Sequence, residues 1–586
     1  MRILHSPRPD VPGTSMHLQQ TDPWHAYQRG RSYFFREWSV EDGVFAALAK
    51  REVAAATTSC GMCHNLPFRT PGAGGNTVQP VGYGLNTPHL FGAGLVEMIG
   101  MQAGALILAA YDQNRNGFLD VPAETAGRRA LVEAAPGSIV DFGALDDLDG
   151  NGLPDLNRVV QFRLVDGNGQ ARPAGPEGKP SRLGDPGIAG YHLSVALFAT
   201  TRSDHQFSTL RTFTNGALRT VMGMVPDDPT SFQQLGPRQA SYADSVWAEV
   251  SNAGAPQPNL NLQPESLAAI AALQGSKAGT LSEGEIDLLE WFLLNHPAPA
   301  QAAQTGETRR GRLLLDRFGC TSCHTPDWVL HPHDAERGLA GDRRFFDLAV
   351  APDPATGRLE GRLRPLLKEV PGPGGAVLRV PRREGFAVRG VFADFLHHDL
   401  GERFHEHYYW NGRTQILKHF RTAPLWGVGS TAPYGHDGRS MTLDDVIRRH
   451  GGEAEAAAKA YGAAPSEDRE ALIAFLQTLV LYQPDLLPTD LDGDSRIAAD
   501  VRVSGRSLGP ERFSPELLFR VTPVYRGWIE DPEGDRYFSY EMLNQAEAYG
   551  EELEALTDRD RNGTPDLEER KAPSASVGAL SGPRAP

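Results

Sequence analysis

Two five-residue stretches contain every cysteine of the chain. They read Cys60-Gly61-Met62-Cys63-His64 and Cys320-Thr321-Ser322-Cys323-His324. Each has the pattern C-x-x-C-H, which is the signature of covalent c-type haem attachment. In such a site the two thiols bond to the vinyl groups of one porphyrin, and the histidine becomes the proximal iron ligand. The pattern therefore predicts two covalently bound haems, with His64 and His324 as iron ligands.

Other chemistry uses paired cysteines, namely a redox dithiol, half of a zinc site or a small disulfide loop. A zinc site would need the two pairs to meet, and it would not require a histidine directly after each pair. A redox dithiol is typical of a βαβ pattern, which neither motif has around it. Haem attachment accounts for all four cysteines with none left over for thiol chemistry.

The composition is that of a globular protein of 586 residues, long enough for two to four domains. The net charge of −16 argues against nucleic acid or an anionic membrane as a partner, and it would suit a basic redox partner. The most apolar stretch, Gly92 to Tyr111, is interrupted by Glu97 and Gln102. It is interpreted as a buried helix rather than a membrane span.

The first residues, Met1 to Gly13, lack the apolar region of a signal peptide. Haem of the c type is attached outside the cytoplasmic membrane, so the two motifs predict a periplasmic or secreted protein. Export is inferred from the motifs and is not visible in these residues.

The elements that must position the motifs are predicted to be mainly helical. A helix over Val44 to Thr58 leads into the first motif, and Pro71 to Gly75 is a loop. Ser282 and Glu285 form a capping box that opens a helix ending near His296-Pro297. After a linker at 297–305, a basic amphipathic helix from Gly306 to Phe318 delivers the second motif. The predicted domains are 1–300, with a loop-rich insertion at about 112–260, then 301–483, and a C-terminal extension over 484–586.

Acidic loops recur along the chain with oxygen side chains at positions 1, 3 and 5, Gly at 6 and an acid at 9 or 12. This is the arrangement that Ca²⁺ requires of a loop. The candidate ligands are Asp112, Asn114, Asn116 and Asp120; Asp147, Asp149, Asn151 and Asp155; and Asp558, Asp560, Asn562, Asp566 and Glu569. A poorer loop begins at Asp490. The alternative is a solvated acidic turn, and the Asp147 and Asp558 loops are the better candidates for structural Ca²⁺.

His450 is a candidate axial ligand. Thr442 with Asp445 predicts a helix start, and Gly451-Gly452 predicts its end. His450 then shares the inward face of Val446 and Ile447. Spacing alone favours the alternative, which is a histidine stabilised by the helix dipole at the last turn.

Several runs outside the motifs carry a family resemblance. They are Asn86-Thr87-Pro88-His89-Leu90-Phe91-Gly92-Ala93-Gly94-Leu95-Val96-Glu97, Thr422-Ala423-Pro424-Leu425-Trp426-Gly427, His436-Asp437-Gly438-Arg439 and His450-Gly451-Gly452-Glu453-Ala454. Together with the two motifs, they resemble the di-haem c-type oxidoreductases, relatives of the bacterial di-haem cytochrome c peroxidases and of the methylamine dehydrogenase maturation enzyme. The resemblance covers roughly residues 40–110 and 305–480, and it implies two cytochrome c-like domains with one haem each.

The resemblance also implies roles for single residues. His450 falls where the peroxidase branch usually has a methionine as the distal ligand of the C-terminal haem, and this exchange would lower the potential of that haem. Met441 is the fallback ligand. Electrons would enter at the C-terminal haem and pass to the N-terminal haem, where H₂O₂ would be reduced or a substrate oxidised through a ferryl state. Trp410 and Trp426 are candidates for carrying an electron between haems, although packing is the commoner role.

At the N-terminal haem, the resemblance implies that His89 is a reversible distal ligand and that Glu97 is an acid–base group for O–O cleavage. The structural alternatives are a histidine in a turn and a half-buried helical glutamate. An O₂-dependent di-haem oxygenase and a non-catalytic electron carrier are the rival functions. The expected partners are a small cytochrome or cupredoxin, or a small-molecule substrate, together with H₂O₂ or O₂.

Overall fold

The computed structural model describes most of the chain around the two motifs. The ranges are 12–39, 57–65, 70–74, 85–170, 182–198, 209–224, 281–330 without 297, 300 and 303, and 386–481 without 411 and 412. Residues 3, 42–44 and 172 and the backbone of short strands between 346 and 381 and between 502 and 537 are described as well. The predicted calcium loops at Asp490 and Asp558, and most of the predicted helix from Val44 to Thr58, lie outside the described residues.

The α-helices lie on both sides of each haem motif. In chain order they are α1 (Ser15–Thr21), α2 (Pro23–Phe35), α3 (Ala93–Tyr111), α4 (Leu210–Met222), α5 (Glu283–Asn295), α6 (Gly306–Arg317), α7 (Leu443–Arg449), α8 (Glu455–Ala463) and α9 (Ser466–Leu476). The capping boxes predicted at Ser282 with Glu285 and at Thr442 with Asp445 are confirmed, because in each the side chain and backbone bond reciprocally. They fix where α5 and α7 begin.

Helices α2 and α5 cross at a glycine. A Cβ atom at Gly30 of α2 would lie 1.9 Å from the carbonyl oxygen of Leu288 and 2.8 Å from Cβ of Phe292, both on α5. No real side chain tolerates such a distance, so only glycine lets the two backbones approach this closely. The helix that precedes the first motif is thereby seated on the helix that closes the N-terminal half.

Helices α6 and α9 repeat this crossing around the second motif. A Cβ atom at Gly311 would lie 1.9 Å from the carbonyl oxygen of Ala471 and 2.8 Å from Cβ of Phe475. As in the first crossing, the glycine meets a carbonyl oxygen one turn before a phenylalanine. The two halves of the chain therefore share one packing motif, and both glycines lie in the sequence Arg-Gly-Arg.

Helix α3 is the most apolar helix of the described chain. By length and composition it could cross a membrane, but most of it is buried inside the protein. Leu95, Ile99 and Ile107 are almost fully buried in the larger core cluster. Gln102 donates from Nε2 to the carbonyl oxygen of Val329 at 2.7 Å, which satisfies the polar group inside this helix.

The strands form small antiparallel sheets. They are β1 (Leu119–Asp120), β2 (Arg129–Ala135), β3 (Ser138–Ala144), β4 (Val160–Val165), β5 (Gly190–Val195), β6 (Trp328–Leu330), β7 (Phe346–Pro352), β8 (Leu359–Pro365), β9 (Leu367–Pro371), β10 (Val377–Pro381), β11 (Phe386–Val388), β12 (His397–Asp399), β13 (Glu406–Trp410), β14 (Arg413–Leu417), β15 (His419–Arg421), β16 (Arg502–Val503), β17 (Arg506–Ser507), β18 (Ile529–Glu530) and β19 (Arg536–Tyr537). Apart from the three-stranded sheet β1-β5-β4, each sheet within the described residues is a strand pair.

The expectation of a mainly helical protein is therefore only partly right. The region at 112–198, expected to be loop-rich, contains the β2–β3 hairpin and the β1-β5-β4 sheet. Buried and exposed residues alternate along β2, so one face of the hairpin packs on the core. The larger core cluster also includes Phe395 and Trp426 beside Tyr27 and Leu289, so it receives side chains from both predicted haem domains.

Candidate haem sites

The first motif is a short 3₁₀ turn, Cys60–Met62, that begins after Ser59. The Ser59 hydroxyl accepts a hydrogen bond from the Gly61 N–H, and the His64 N–H donates to the carbonyl oxygen of Cys60 at 3.0 Å. A Cβ atom at Gly61 would lie 2.4 Å from the Phe35 ring, so this position needs glycine where the turn packs on α2. The turn brings both cysteines and His64 to one side of the helix.

His64 is held in one tautomer. Its Nδ1 donates a hydrogen bond to the carbonyl oxygen of Pro88 at 2.8 Å. Burial lowers the pKa of His64 to about 4, so the ring is neutral at neutral pH. A neutral ring with its proton on Nδ1 presents the lone pair of Nε2, which is the state that binds iron. The Phe34 ring packs beside it, with centroids 6.1 Å apart.

The second motif repeats these features with a different approach. Gly319, with φ of 82°, ends α6 and leads into the 3₁₀ turn Cys320–Ser322. Nδ1 of His324 donates to the carbonyl oxygen of Phe392 at 2.9 Å, and burial lowers the pKa of His324. The neutral ring thus also carries its proton on Nδ1.

Residues 392–394 lie alongside the second motif as a backbone partner. Ala393 and Asp394 donate their N–H groups to the carbonyl oxygens of Thr325 and Cys323, both at 2.8 Å. Phe392 has φ of 51°, a value that bulky residues rarely adopt. In this conformation the carbonyl oxygen of Phe392 accepts the hydrogen bond from Nδ1 of His324.

The cysteines do not have the environment of redox or zinc thiols. All four lie within the described residues, and none is paired in a disulfide. Burial raises the pKa of Cys60 to about 12 and that of Cys320 to about 11, whereas redox-active thiols have a lowered pKa. The only group of metal-ligand type found around a cysteine in the described chain is Cys323 with Asp394 and His398, so the two pairs do not form one zinc site.

His450 lies at the C-terminal end of α7. Nδ1 donates to the carbonyl oxygen of Val446 at 2.7 Å, so this ring too is fixed with its proton on Nδ1. Burial is the main cause that lowers the pKa of His450 to about 4. The segment after His450 lies beside the second motif, because Glu453 binds His398 at 2.8 Å and His398 has a ring nitrogen within 4.8 Å of the Cys323 sulfur. His324 and His450 can thus each present Nε2 to a metal.

The backbone after His450 is packed against the residues that follow β12. The Gly451 N–H donates to the carbonyl oxygen of Leu400 at 2.9 Å. Gly452 has φ of 52°, and a Cβ atom there would lie 2.2 Å from the carbonyl oxygen of Asp399. Glycine at this position is required by both the backbone conformation and the close approach.

A carboxylate–histidine network lies beside Cys323. His398 donates from Nε2 to Asp394 at 3.0 Å and from Nδ1 to Glu453 at 2.8 Å. Burial opposes the charge of His398, but the hydrogen bonds to Asp394 and Cys323 raise its pKa to about 11. The second Glu453 oxygen accepts from the Asp399 N–H at 2.8 Å. The sequence did not identify this network, because its members are separated along the chain and only the fold of β12 brings them together.

His89 points toward the C-terminal half. Its Nε2 donates to the carbonyl oxygen of Trp426 at 2.7 Å. Pro88, whose carbonyl group binds the His64 ring, directly precedes it in the chain, so this stretch is attached to the proximal side of the first motif. The role of His89 as a reversible distal ligand stays a prediction, and it would require this hydrogen bond to break.

Glu97 is almost fully buried on α3. Its carboxylate accepts a hydrogen bond from the Leu210 N–H at 2.6 Å, at the first residue of α4. A carboxylate at a helix N-terminus is stabilised by the unpaired N–H groups and the helix dipole. This contact agrees with the structural alternative, and the acid–base role of Glu97 stays a prediction.

The aromatic and methionine candidates have distinct surroundings. Trp426 is buried, and its ring packs against Gly92 at the start of α3, where a Cβ atom would lie 2.5 Å from Cζ3. It therefore sits at the contact between the two halves. The backbone of Trp410 belongs to β13, and its side chain lies outside the described residues. Met441 is 60% exposed before α7, which does not suit an axial ligand.

The two acidic loops within the described residues differ. The carboxylates of Asp147, Asp149 and Asp155 have oxygens within 4.8 Å of one another, and Oδ1 of Asp147 is buried without a hydrogen-bond partner. At the other loop, Asp112 accepts from the backbone of Asn116 and Gly117. The side chains of Asn114 and Asn116 both donate to Asp120. Carboxylates of the first loop also have partners within the chain, since Oδ2 of Asp147 accepts from the Gly152 N–H at 2.7 Å, so the first loop differs in the buried Oδ1 of Asp147.

Comparisons with known proteins found a family model that matches part of the chain. Residues 386–479 match the model of a family described as "Di-haem oxidoreductase, putative peroxidase". This segment contains Phe392, the Asp437 run and His450. The resemblance to the di-haem oxidoreductases is confirmed.

A curated protein similar to this chain is the cytochrome-c peroxidase IdrP1 of Denitromonas iodatirespirans. It is 27% identical over 227 residues, which are 38% of this chain. The match spans half the length of that relative. A crystal structure of a MauG-like protein associated with microbial copper homeostasis matches with a TM-score of 0.30 and 14% identity, over 84% of this chain and 97% of that one. A TM-score this low does not establish a shared fold.

Proposed function

We propose that the chain is an exported di-haem c-type oxidoreductase of the peroxidase type. Its two cytochrome c-like domains would each hold one covalently attached haem. Electrons would enter at the C-terminal haem, and H₂O₂ would be reduced at the N-terminal haem. When bound, the two haems supply the electron transfer and the reaction with peroxide. A small cytochrome or cupredoxin would supply the electrons.

The observation that carries the proposal is the matched state of His324 and His450. Both rings donate from Nδ1 to a backbone carbonyl group, and the segment after His450 is attached beside the second motif through Glu453 and His398. Two such rings could bind one iron through Nε2. We expect the first haem, held by His64, to be the site for peroxide.

The His450 assignment is tested by the variant His450→Ala. A haem with two histidine ligands is low-spin, and loss of one ligand converts it to high spin. We expect one low-spin signal to disappear from the electron paramagnetic resonance (EPR) spectrum, while the haem content stays at two per chain. Met441→Leu is the matched control and should leave the spectrum unchanged. An unchanged spectrum in His450→Ala would remove this residue from the iron.

The reaction itself is tested by stopped-flow absorption after mixing the half-reduced protein with one equivalent of H₂O₂. A fast shift of the Soret band supports the proposed peroxidase function. A silent band with rapid CO binding to the reduced protein would favour the O₂-dependent oxygenase. A silent band without CO binding would favour the electron carrier.

The acid–base role of Glu97 is separable from its structural role. Glu97→Gln keeps an oxygen that accepts from Leu210 but cannot transfer a proton. If Glu97 is the acid–base group, the rate with H₂O₂ should fall about 10²–10⁴-fold, with an unchanged melting temperature. If Glu97 only caps α4, Glu97→Gln should stay active and Glu97→Ala should lower the melting temperature.

We also propose a structural Ca²⁺ at the Asp147 loop. The support is the approach of three carboxylates and the buried, unpartnered Oδ1 of Asp147, since a polar atom buried without a partner is costly. The other oxygen of Asp147 accepts from the Gly152 N–H at 2.7 Å. Calorimetric titration with Ca²⁺ should show binding that Asp147→Asn removes. No binding in the unmodified protein would identify the loop as an acidic turn. The Asp112 and Asp558 loops stay predictions.

A further inference from the structure

Arg449, the residue directly before His450, forms an ion pair with Asp437. Arg449 donates from both terminal nitrogens to the Asp437 carboxylate, with one bond at 2.9 Å from Nη1 to Oδ1 and the second from Nη2 to Oδ2. Both side chains are largely buried, with 11% and 13% of their surfaces exposed. Such a bidentate contact fixes direction as well as distance, which a lysine could not reproduce.

Arg449 is also fixed on its other sides. Its Nε donates to the carbonyl oxygen of Arg403 at 2.9 Å, and its guanidinium group lies over the Phe404 ring, 4.2 Å from the centroid. Phe404 in turn packs edge-on against the His450 ring, with centroids 5.1 Å apart. The guanidinium group therefore contacts two separate segments of the chain, at Arg403-Phe404 and at Asp437.

Asp437 is also bound by a second arginine, Arg439. It accepts from the Arg439 N–H at 3.1 Å and from the Arg439 side chain. Gly435, with φ of 86°, leaves the space for the pair, because a Cβ atom there would lie 3.0 Å from Nη1 of Arg449. The neighbouring backbone is bound to the N-terminal half, since Asn86 donates from Nδ2 to the carbonyl oxygen of Pro433 at 2.6 Å.

We propose that Asp437 and Arg449 are positioning residues that hold His450 at the distance and angle needed to ligate the second haem. The proposal rests on the proposed function, because it requires His450 to be an axial ligand. The helix supplies little of this order by itself, since α7 has only seven residues and His450 already lies beyond its end. The pair sits between His450 and the residues attached to Asn86, so the ligand is fixed to the contact between the two halves.

The pair is tested in the haem-loaded protein with Asp437→Asn and Arg449→Gln. Asp437→Asn keeps the size of the side chain and Arg449→Gln shortens it, and each removes the bidentate ion pair. We expect the low-spin EPR signal of the second haem to lose at least half of its intensity. CO should bind to the reduced second haem at least tenfold faster, because His450 would leave the iron more often. Added imidazole should restore the low-spin signal, which it would not do after general unfolding.

Arg448→Gln is the matched control. Arg448 precedes Arg449 on the same helix and pairs with Asp444, but both of these side chains are more than 40% exposed. It should leave the EPR signal and the CO rate as in the unmodified protein. Arg449→Lys keeps the charge and one donor, and an intermediate CO rate is expected. If Arg449→Gln does not accumulate as folded protein, the EPR signal and the CO rate are measured on Arg449→Lys instead.

The outcomes separate the two proposals. A spectral change in His450→Ala with unmodified EPR and CO behaviour in Asp437→Asn and in both Arg449 variants would overturn the positioning role and leave the ligand assignment intact. An unchanged His450→Ala spectrum would overturn both. A partial change in the Asp437 and Arg449 variants, absent in Arg448→Gln and reversed by imidazole, supports the positioning role.

Discussion

The two haem motifs share a helix crossing and a histidine hydrogen bond, and they differ in the residues that surround them. In both halves a glycine seats the preceding helix on a later helix, at Gly30 and at Gly311, and in both the motif histidine donates from Nδ1 to a backbone carbonyl group. These contacts are thus repeated, as are the Arg-Gly-Arg sequence at each crossing and the C-x-x-C-H pattern of each motif. What differs is the surroundings, because the second motif has the segment after His450 attached beside it through Glu453 and His398.

This difference shows how the same arrangement of helices and motif can serve two functions. Around the second motif, ion pairs and hydrogen bonds surround the candidate second ligand, including His398 with Glu453 and Arg449 with Asp437. For the first motif, the candidate His89 is bonded to the backbone of Trp426. A closed, rigid site suits electron transfer, and a site with one protein ligand suits reaction with a small molecule.

Removal of either cysteine pair should have the largest effect. Cys60→Ala with Cys63→Ala, or Cys320→Ala with Cys323→Ala, should each lower the covalent haem content from two to one per chain, measured by the pyridine haemochrome and by mass spectrometry. Only the second double variant should also lose the low-spin signal assigned to His324 and His450. Loss of that signal in the first double variant would contradict the comparison.

The two helix crossings should respond alike to an added methyl group. Gly30→Ala and Gly311→Ala each place Cβ against a carbonyl oxygen, and such overpacking costs about 1–3 kcal/mol of unfolding free energy. Thermal melting followed by circular dichroism should show a lower midpoint for both. Gly462→Ala in α8 is the control, since its Cβ would meet only Arg448 at 3.6 Å and the change favours helix. A neutral Gly311→Ala would show that the crossings are not equivalent.

Acidification should affect the second haem only at low pH. Protonation of His450 competes with iron for Nε2, and burial lowers the pKa of this ring from 6.5 to about 4. The low-spin signal should therefore persist as the pH falls through 6.5 and fade only near or below pH 4. Visible and EPR spectra recorded between pH 7 and pH 3 measure this. A transition near pH 6.5 would mean that His450 is exposed to water.

The smallest effect is expected at the exposed ion pair of α7. Arg448→Ala removes a contact with Asp444 at 2.8 Å in which both side chains face solvent. Surface pairs of this kind contribute little to stability. The melting midpoint and the haem spectrum should both stay within experimental error of the unmodified protein, in contrast to any change at Arg449.

The parts of the fold that were predictable depend on local signals. Capping residues located α5 and α7, and the apolar stretch at Gly92 to Tyr111 became α3 as Ala93–Tyr111. The strands at 119–195 were missed because β2 reads Arg-Ala-Leu-Val-Glu-Ala-Ala, in which alanine and glutamate disfavour strands. Pairing with β3 and one buried face override that preference.

The candidate site divides in the same way. C-x-x-C-H spacing is a local signal, so the cysteines, His64 and His324 were identifiable from the sequence. The Asp437–Arg449 pair was not, because twelve residues and a tight turn separate its members. Contacts such as Phe392 with His324 join segments 68 residues apart, and sequence alone carries no distance between such segments.

One side chain in the middle of the chain has a consequence for how this protein can be shortened. Asn157 accepts from the N–H of His397 at 3.0 Å and donates to the carbonyl oxygen of the same residue at 3.2 Å, as a neighbouring strand would. His397 opens β12, the strand that carries His398 beside the second motif. Excision of residues 112–198 would expose two backbone groups at the edge of β12, so this insertion cannot be treated as a removable module.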